Sequence, residues 1–367
     1  EGSSVTLTCN SDANPPVYKY TWYKKNVTSP KASGQNYSIT NITSKDSGEY
    51  YCEAENKYGH LNSSLVFVNV LYSPKNTSVS VSPSAVIMEG SSVILTCSSD
   101  AKPPAYNYTW YKKNVASPKA SGQSYSITNI RSEDSGEYYC EAENQYGRLN
   151  SSLVLVNVLY NPKNTSVSVS PSGKIVEGSS VTLTCSSDAN PPVDKYTWYK
   201  KNVASPKASG QSYNITNIRS EDSGEYYCEA ENQYGRLNSS LVLVNVLYNP
   251  KNTSVSVSPS GKIVEGSSVT LTCSSDANPP AYKYTWYKKN ITSSKASGQS
   301  YNITNIRSED SGEYYCEAEN EYGRLNSSLV FVNVLWTQPS YLTLVIVVIA
   351  VVLVVLILCI CGFICFR

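Results

Sequence analysis

The chain has 367 residues, a net charge of +1, eleven cysteines and one histidine. The near-neutral charge excludes the basic footprint of a nucleic-acid binder and any polybasic membrane patch. A single histidine (His60) and the lack of a glycine-rich phosphate loop leave no residue set for catalysis, so neither an enzyme nor a cofactor is expected.

The organising feature is a period of 88 residues. Cys9, Cys97, Cys185 and Cys273 are each followed 43 residues later by Cys52, Cys140, Cys228 and Cys316. Trp22, Trp110, Trp198 and Trp286 stand thirteen residues after the first cysteine of each frame, and Tyr50, Tyr138, Tyr226 and Tyr314 two residues before the second. Zinc favours closely spaced pairs such as C-x-x-C, which the frame does not offer. Pairing within each frame (Cys9–Cys52, Cys97–Cys140, Cys185–Cys228, Cys273–Cys316) is therefore expected, in an oxidising compartment. Each bridge should contribute about 4 kcal/mol in the chain-entropy account.

In chain order, four units are expected at 1–71, 72–159, 160–247 and 248–335, followed by a juxtamembrane piece at 336–341 and a membrane span at 342–366. Glu1-Gly2-Ser3-Ser4 aligns with the segments at Glu89, Glu177 and Glu265. The first copy is therefore expected to be truncated, without the leading strand that Thr77–Ser84 supplies to the second. With no leader and no cytoplasmic tail, the chain reads as a fragment.

The third copy serves as template. Thr165–Ser170 alternates polar and apolar residues, an edge strand stopped by Pro171-Ser172-Gly173. Val181, Leu183 and Cys185 share one face of the next strand, which Asn190-Pro191-Pro192 breaks. Tyr196–Tyr199 follows, with Trp198 expected against the disulfide. Lys201–Gly210 is loop with at most one short strand, and Tyr213–Thr216 is another strand. Glu221–Gly224 turns the corner into a strand that points Tyr226 and Cys228 inward and Tyr227, Glu229 and Glu231 outward. Asn232–Gly235 then makes a hairpin turn into Leu241–Val244. Leu159-Tyr160-Asn161-Pro162 leaves almost no linker between copies, since proline restricts both itself and the residue before it. A rod of about 150 Å is expected from strand rise.

Leu342 to Phe366 holds 25 residues without a charge. As a helix it would measure about 37 Å, enough to cross a hydrocarbon core of about 30 Å. The cysteines argue for an extracellular N-terminal side, and Arg367 follows the span as the positive-inside rule asks. The expectation is a single-pass type I plasma-membrane protein, with a processed lipid anchor as the lesser alternative. No ionisable residue interrupts the span, so pairing with a charged signalling adaptor is not expected. Cys359, Cys361 and Cys365 lie near the inner face, where acylation and plain helix packing both account for them.

The Cys–Trp–Cys spacing and the corner Asp222-x-Gly224-x-Tyr226-x-Cys228 resemble the immunoglobulin fold. That resemblance implies an inter-sheet disulfide, a tryptophan packed on it and a tyrosine corner. With 43 residues between cysteines there is little room for extra central strands, so the domains look like the constant-2 or intermediate type. The implied fold class is all-β: four tandem immunoglobulin-like β-sandwiches (C2/I-type) followed by one transmembrane α-helix. Pro162–Ser172, Glu177–Cys185, Tyr196–Lys200 and Ser220–Cys228 further resemble the C2-set arrays of the siglecs, the sialic-acid-binding immunoglobulin-like lectins. In that family sialic acid is bound by an N-terminal variable-type domain through an arginine, and inhibitory tyrosine motifs lie in the cytoplasmic tail. Neither is present here, and the matching outward strand positions are tyrosine and glutamate, so the lectin residue is not carried over.

The resemblance thus implies the glycosylated spacer and anchor of a cell-surface receptor in immune recognition or regulation. Its partners would be cell-surface glycoproteins or glycans, met through an N-terminal domain not in this chain. The alternative is an adhesion molecule whose repeats bind directly, homophilically or to another immunoglobulin domain.

Fourteen Asn-x-Ser/Thr sequons are candidates for N-glycosylation: Asn26, Asn36, Asn41, Asn62, Asn76, Asn107, Asn150, Asn164, Asn214, Asn238, Asn252, Asn290, Asn302 and Asn326. Glycans there would oppose edge-to-edge pairing of strands. The turn Asn144-Gln145-Tyr146-Gly147-Arg148 offers residue types common at binding hot spots, although a hairpin needing glycine at its tip explains it equally. His60 aligns with Arg148, Arg236 and Arg324 and reads as a solvated turn residue.

Overall fold

The computed structural model describes residues 1–336 and 341–365. The chain forms two compact units, one of 1–163 with 188–193 and 232–235, the other of the remainder. Up to residue 335 every element is a strand or a single 3-10 turn.

Within the first unit, the second copy shows how the sequence closes a sandwich. In the strand Val93–Lys102, Val93, Leu95 and Cys97 alternate buried with more exposed neighbours. Such a strand buries one face and solvates the other. It lies between Ser124–Ile127 and Tyr72–Ser82, with Leu95 opposite Tyr125 on one side and opposite Val81 on the other. The facing sheet runs Ala120–Ser121, Asn107–Lys112, Gly136–Asn144, Gly147–Asn150, with Val154–Val156 also paired to Gly136–Asn144. Trp110 stands opposite Cys140. A short parallel pairing of Ile87–Met88 with Val158–Leu159 seals the side. In the second unit the fourth copy repeats this plan, with Val255 opposite Cys273 and Trp286 opposite Cys316.

Each copy encloses its own core. In the third, Leu183, Cys185, Trp198, Ile218, Cys228, Val244 and Val246 are fully buried. Trp198 Nε1 donates to the Gly210 carbonyl at 3.0 Å, which satisfies the one polar atom of the indole. The phenol of Tyr226 donates to the Asp222 carbonyl at 2.8 Å. Burial pushes the Tyr226 phenol well above its ordinary pKa. Gly224, at φ 150°, holds a backbone conformation that a side chain strains, and a Cβ there would also displace the end of Lys200. That lysine is folded back to donate to the Glu221 carbonyl at 2.6 Å, 5.6 Å above the Tyr226 ring.

One detail departs from the sequence expectations, at the final hairpin. The loop after the tryptophan strand carries one strand of only two residues, Ala208–Ser209, within the limit expected for it. The final hairpin does not run straight into the last strand. In the fourth copy Gly323–Asn326 pairs with the end of Gly312–Asn320, and Val330–Val332 pairs with its start. Between them Ser327 bends the chain, its Oγ accepting the Cys316 N–H at 3.1 Å. A side-chain hydroxyl here replaces a backbone carbonyl in the ladder, a substitution that strand periodicity does not reveal.

The chain ends in a helix, Tyr341–Cys365. Its described side chains cover 345–357, of which Ile346–Ile349 and Val351–Ile357 are exposed aliphatic groups. Among the described residues no helix is long and apolar enough to cross a membrane. Phe366 of the expected span at 342–366, the side chains of 342–344 and 358–365 (Cys359, Cys361 and Cys365 among them), and most of the juxtamembrane piece lie outside what is described.

Candidate functional surfaces

The structure places the repeated frame in the four cores. Each cysteine pair is bonded, with Cα atoms 6.3, 6.2, 6.3 and 6.2 Å apart in chain order, within the normal span of a disulfide. Trp22, Trp110, Trp198 and Trp286 are buried, as are the corner tyrosines Tyr50, Tyr138, Tyr226 and Tyr314. These residues build the modules and reach no surface.

The surface chemistry recurs instead at the joints between copies. At the joint of the third and fourth, one strand, Val246–Ser258, belongs to both: Val246 pairs with Ile175 of the third copy, and Tyr248 with Asn278 of the fourth. Lys251 Nζ meets Glu177 Oε1 at 2.6 Å, donates to Ser220 Oγ at 3.2 Å and lies 4.6 Å over the Tyr248 ring. Tyr248 donates its hydroxyl to Asp276 at 2.9 Å. Asn278 Nδ2 reaches the Val246 carbonyl at 2.7 Å, and Asn320 Nδ2 the Tyr248 carbonyl at 2.8 Å. Gly323 tightens the contact, since a Cβ there would stand 3.2 Å from Asn249 Cβ.

The same clamp recurs in the first unit. Lys163 bridges Glu89 at 2.9 Å, Tyr160 donates to Asp188 at 3.0 Å and Asn232 to the Tyr160 carbonyl at 2.9 Å. Lys75 bridges Glu1, and Tyr72 donates to Asp100 at 2.9 Å. The sequence marks Tyr160 within a tight connection, Asn232 within a turn and Glu89 and Glu177 within the repeat alignment, but assigns none of them a contact across a joint. The available signal was the recurrence of Tyr-x-Pro-Lys at 72, 160 and 248, with a glutamate fourteen residues after each lysine.

The hydrogen bond from Lys251, with lesser help from Ser220 N–H, holds the Glu177 carboxyl below its ordinary pKa against the opposing effect of burial. A depressed carboxyl pKa contributes stability that is present above the unfolded value and lost as pH falls through the folded one. Lys251→Met should therefore weaken the second unit by about 1 kcal/mol or less at neutral pH, since the pair is partly exposed. The difference from the unaltered chain should shrink on acidification to about pH 3. Urea unfolding at the two pH values checks this; a difference that grows in acid would contradict it.

The outer face of the tryptophan-bearing sheet carries a ladder of pairs in every copy. In the second, Tyr111 stacks on Tyr139 at 5.1 Å, and Arg148 bridges Glu143 at 2.9 Å. His60 takes the arginine position in the first copy, opposite Glu55 and exposed. The hairpin turn weighed as a contact surface is drawn into the joint: Asn144 is buried and donates to the Tyr72 carbonyl at 2.8 Å. Tyr146 of this turn is 47% exposed and its equivalent Tyr58 in the first copy 76%. Thirteen of the fourteen sequon asparagines are exposed; Asn107 is half-buried, its Nδ2 donating to Glu143 at 3.0 Å. Among the described residues no cluster of His, Cys, Asp or Glu is placed to hold a metal ion.

Comparison with known proteins places these modules. A family model of the immunoglobulin domain matches residues 1–70, 74–158 and 161–246, and a second immunoglobulin-domain model matches 252–320. The chain is similar to the B-cell receptor CD22 of Mus musculus, 32% identical over 332 residues, covering 88% of this chain and 37% of that protein. It is also similar to Fc receptor-like protein 5 of Homo sapiens, 27% identical over 360 residues, covering 91% of this chain and 36% of that protein. The chain thus spans under two-fifths of the length of these two relatives. Among solved structures, the full ectodomain (Ig1–Ig3) of mouse nectin-like molecule 4 aligns with TM-score 0.46 and 21% identity, over 70% of this chain and 98% of that one. Neither the fold nor these receptor relatives are enzymatic, and the chain is not an enzyme. With immunoglobulin-domain models matching almost all of its strand region and the disulfide–tryptophan–tyrosine core present in every copy, the chain belongs to the immunoglobulin superfamily.

Proposed function

We propose that this chain is the extracellular spacer and membrane anchor of a siglec-like cell-surface receptor. Its modules would be C2/I-type domains at 1–71, 72–159, 160–247 and 248–335, with a juxtamembrane piece at 336–341 and a single span at 342–366. The observation that carries the reading is the joint. The same lysine–glutamate and tyrosine–aspartate contacts recur at each junction, around strands that leave no free linker. A spacer needs rigid connections, whereas a chain of independently binding beads does not.

The receptor setting is supported by similarity to CD22 and Fc receptor-like protein 5. The anchor is supported by a helix whose described aliphatic side chains from Ile346 to Ile357 have no protein to cover them. Such a surface is stable in hydrocarbon and costly in water. The exposed sequon asparagines would carry glycans, and the partners would be cell-surface glycoproteins or glycans. The second reading, direct adhesion through the repeats, is favoured by the half-buried tyrosine pairs and the charge ladder of each outer face.

Cells displaying the full chain separate the two readings. A spacer leaves them dispersed, with the chain in the membrane fraction and its N-terminal side open to added protease. Mutual aggregation would move the assignment to adhesion, and release of the chain by alkaline carbonate would remove the span.

A further inference from the structure

The outer face of each tryptophan-bearing sheet carries an apolar strip that its own module leaves exposed. In the fourth copy Phe331 is 64% exposed and Leu329 44%. The position of Phe331 is taken in the other copies by Phe67, Leu155 and Leu243, between 62% and 66% exposed. Single exposed apolar side chains need no explanation, but a pair repeated at one place in four modules is a patch that calls for a cover. Five residues before each of these positions stands a sequon asparagine: Asn62, Asn150, Asn238 and Asn326.

The fold puts asparagine and strip on one face. Asn326 stands opposite Glu317, and Phe331 opposite Glu313, along the strand Gly312–Asn320. Tyr314, Cys316 and Ala318 of that strand are buried, so Glu313, Tyr315 and Glu317 point outward, with Asn326 and Phe331 beside them. A spacing of five would place 326 and 331 on opposite faces of a regular strand. The bend at Ser327, buried and bonded to the Cys316 N–H, cancels that alternation. Asn326 itself is exposed. Four residues of strand rise set it about 13 Å from Phe331, a distance that the first sugars of an attached glycan span.

We infer that the N-glycan on Asn326 folds back along its own module, its first N-acetylglucosamine units lying over Leu329 and Phe331, and that its equivalents do the same in the other copies. The inference rests on the proposed glycosylation of the exposed sequons. The sugar's chemistry suits the strip: its N-acetyl methyl and the C–H face of its ring meet the apolar side chains, while its hydroxyls and amide meet the Glu313 and Glu317 carboxylates at the margin. Attachment at Asn326 keeps the sugar at high effective concentration over the strip, and a free partner would have to displace it. The stacked Tyr287–Tyr315 pair, 5.2 Å between centroids, would border the glycan, closing this part of the face to other proteins.

The test is hydroxyl-radical footprinting, read by mass spectrometry, on the full chain purified from cultured animal cells. Ser328→Ala removes the sequon and leaves Asn326 and Ser327 in place. Oxidation of Leu329 and Phe331 is expected to rise by about twofold or more as their exposed area returns. The buried Trp286 should oxidise as before. Enzymatic release of the glycan from the folded parent chain should give the same rise. Asn302→Gln removes a sequon on the opposite sheet, where Asn302 stands opposite Thr270, and should leave Phe331 unchanged. Sugar at Asn326 with an unchanged Phe331 rate after its removal would overturn the inference alone, as would a bare Asn326 beside a glycosylated Asn302. A chain without sugar at any sequon would overturn it together with the glycosylated reading. Shielding of Phe331 that persists in Ser328→Ala and grows with protein concentration would overturn it in favour of a second copy of the chain.

Discussion

Replacing Cys185 and Cys228 together by alanine is expected to cost the third copy about 4 kcal/mol of stability. The bond closes a 43-residue separation, and its removal frees the unfolded chain to explore conformations the loop forbids. Both cysteines are fully buried, so alanine also leaves a small void between the sheets. A domain of ordinary stability has about 5–15 kcal/mol in hand, so the third copy should lose a large part of its margin. Copy-resolved hydrogen exchange is the appropriate measurement. The amides of Val181–Ser187 and Gly224–Glu231 should exchange through a far more populated open state, while the fourth copy keeps its protection. A loss below about 1 kcal/mol would mean that strand packing holds the sheets in register without the bond.

Trp198→Ala is expected to cost about 3–5 kcal/mol. The indole is fully buried, pairs in register with Cys228 and sits 6.3 Å, centroid to centroid, from Tyr213. Its removal opens a cavity in the middle of the core and leaves the Gly210 carbonyl without its donor. Limited proteolysis at increasing urea concentration checks this, with cleavage first within the third copy. Each copy has a separate core cluster, so a destabilisation of equal size in the fourth copy would contradict the assignment. Phe at position 198 should recover part of the loss, since it restores volume without the N–H.

How much of this was legible beforehand differs between core and surface. Val181, Leu183 and Cys185 alternate because a strand repeats every two residues, and that period is visible in a string of letters. The cysteine, tryptophan and tyrosine positions were readable because the frame occurs four times. The split of the last strand was not readable. Ser327 looks like any polar residue between two apolar runs until its hydroxyl is seen on the Cys316 amide. The turn at Asn144–Arg148 was equally ambiguous, because a buried asparagine and an exposed one are written with the same letter.

The joints show the division most plainly. Lys251, Glu177 and Asp276 are ordinary surface residues by sequence, and 74 positions separate the first two. What links them is that Val246–Ser258 continues from one sandwich into the next and carries Lys251 back across the glutamate. By itself the sequence determined the number of modules, their cores and their bonds, since those depend on short-range periodicity and on residue types that have few other uses. Only the tertiary structure decided which polar groups lock one module to the next. Those contacts depend on distances between residues remote in the chain, and a hydrogen bond exists only once those distances are set.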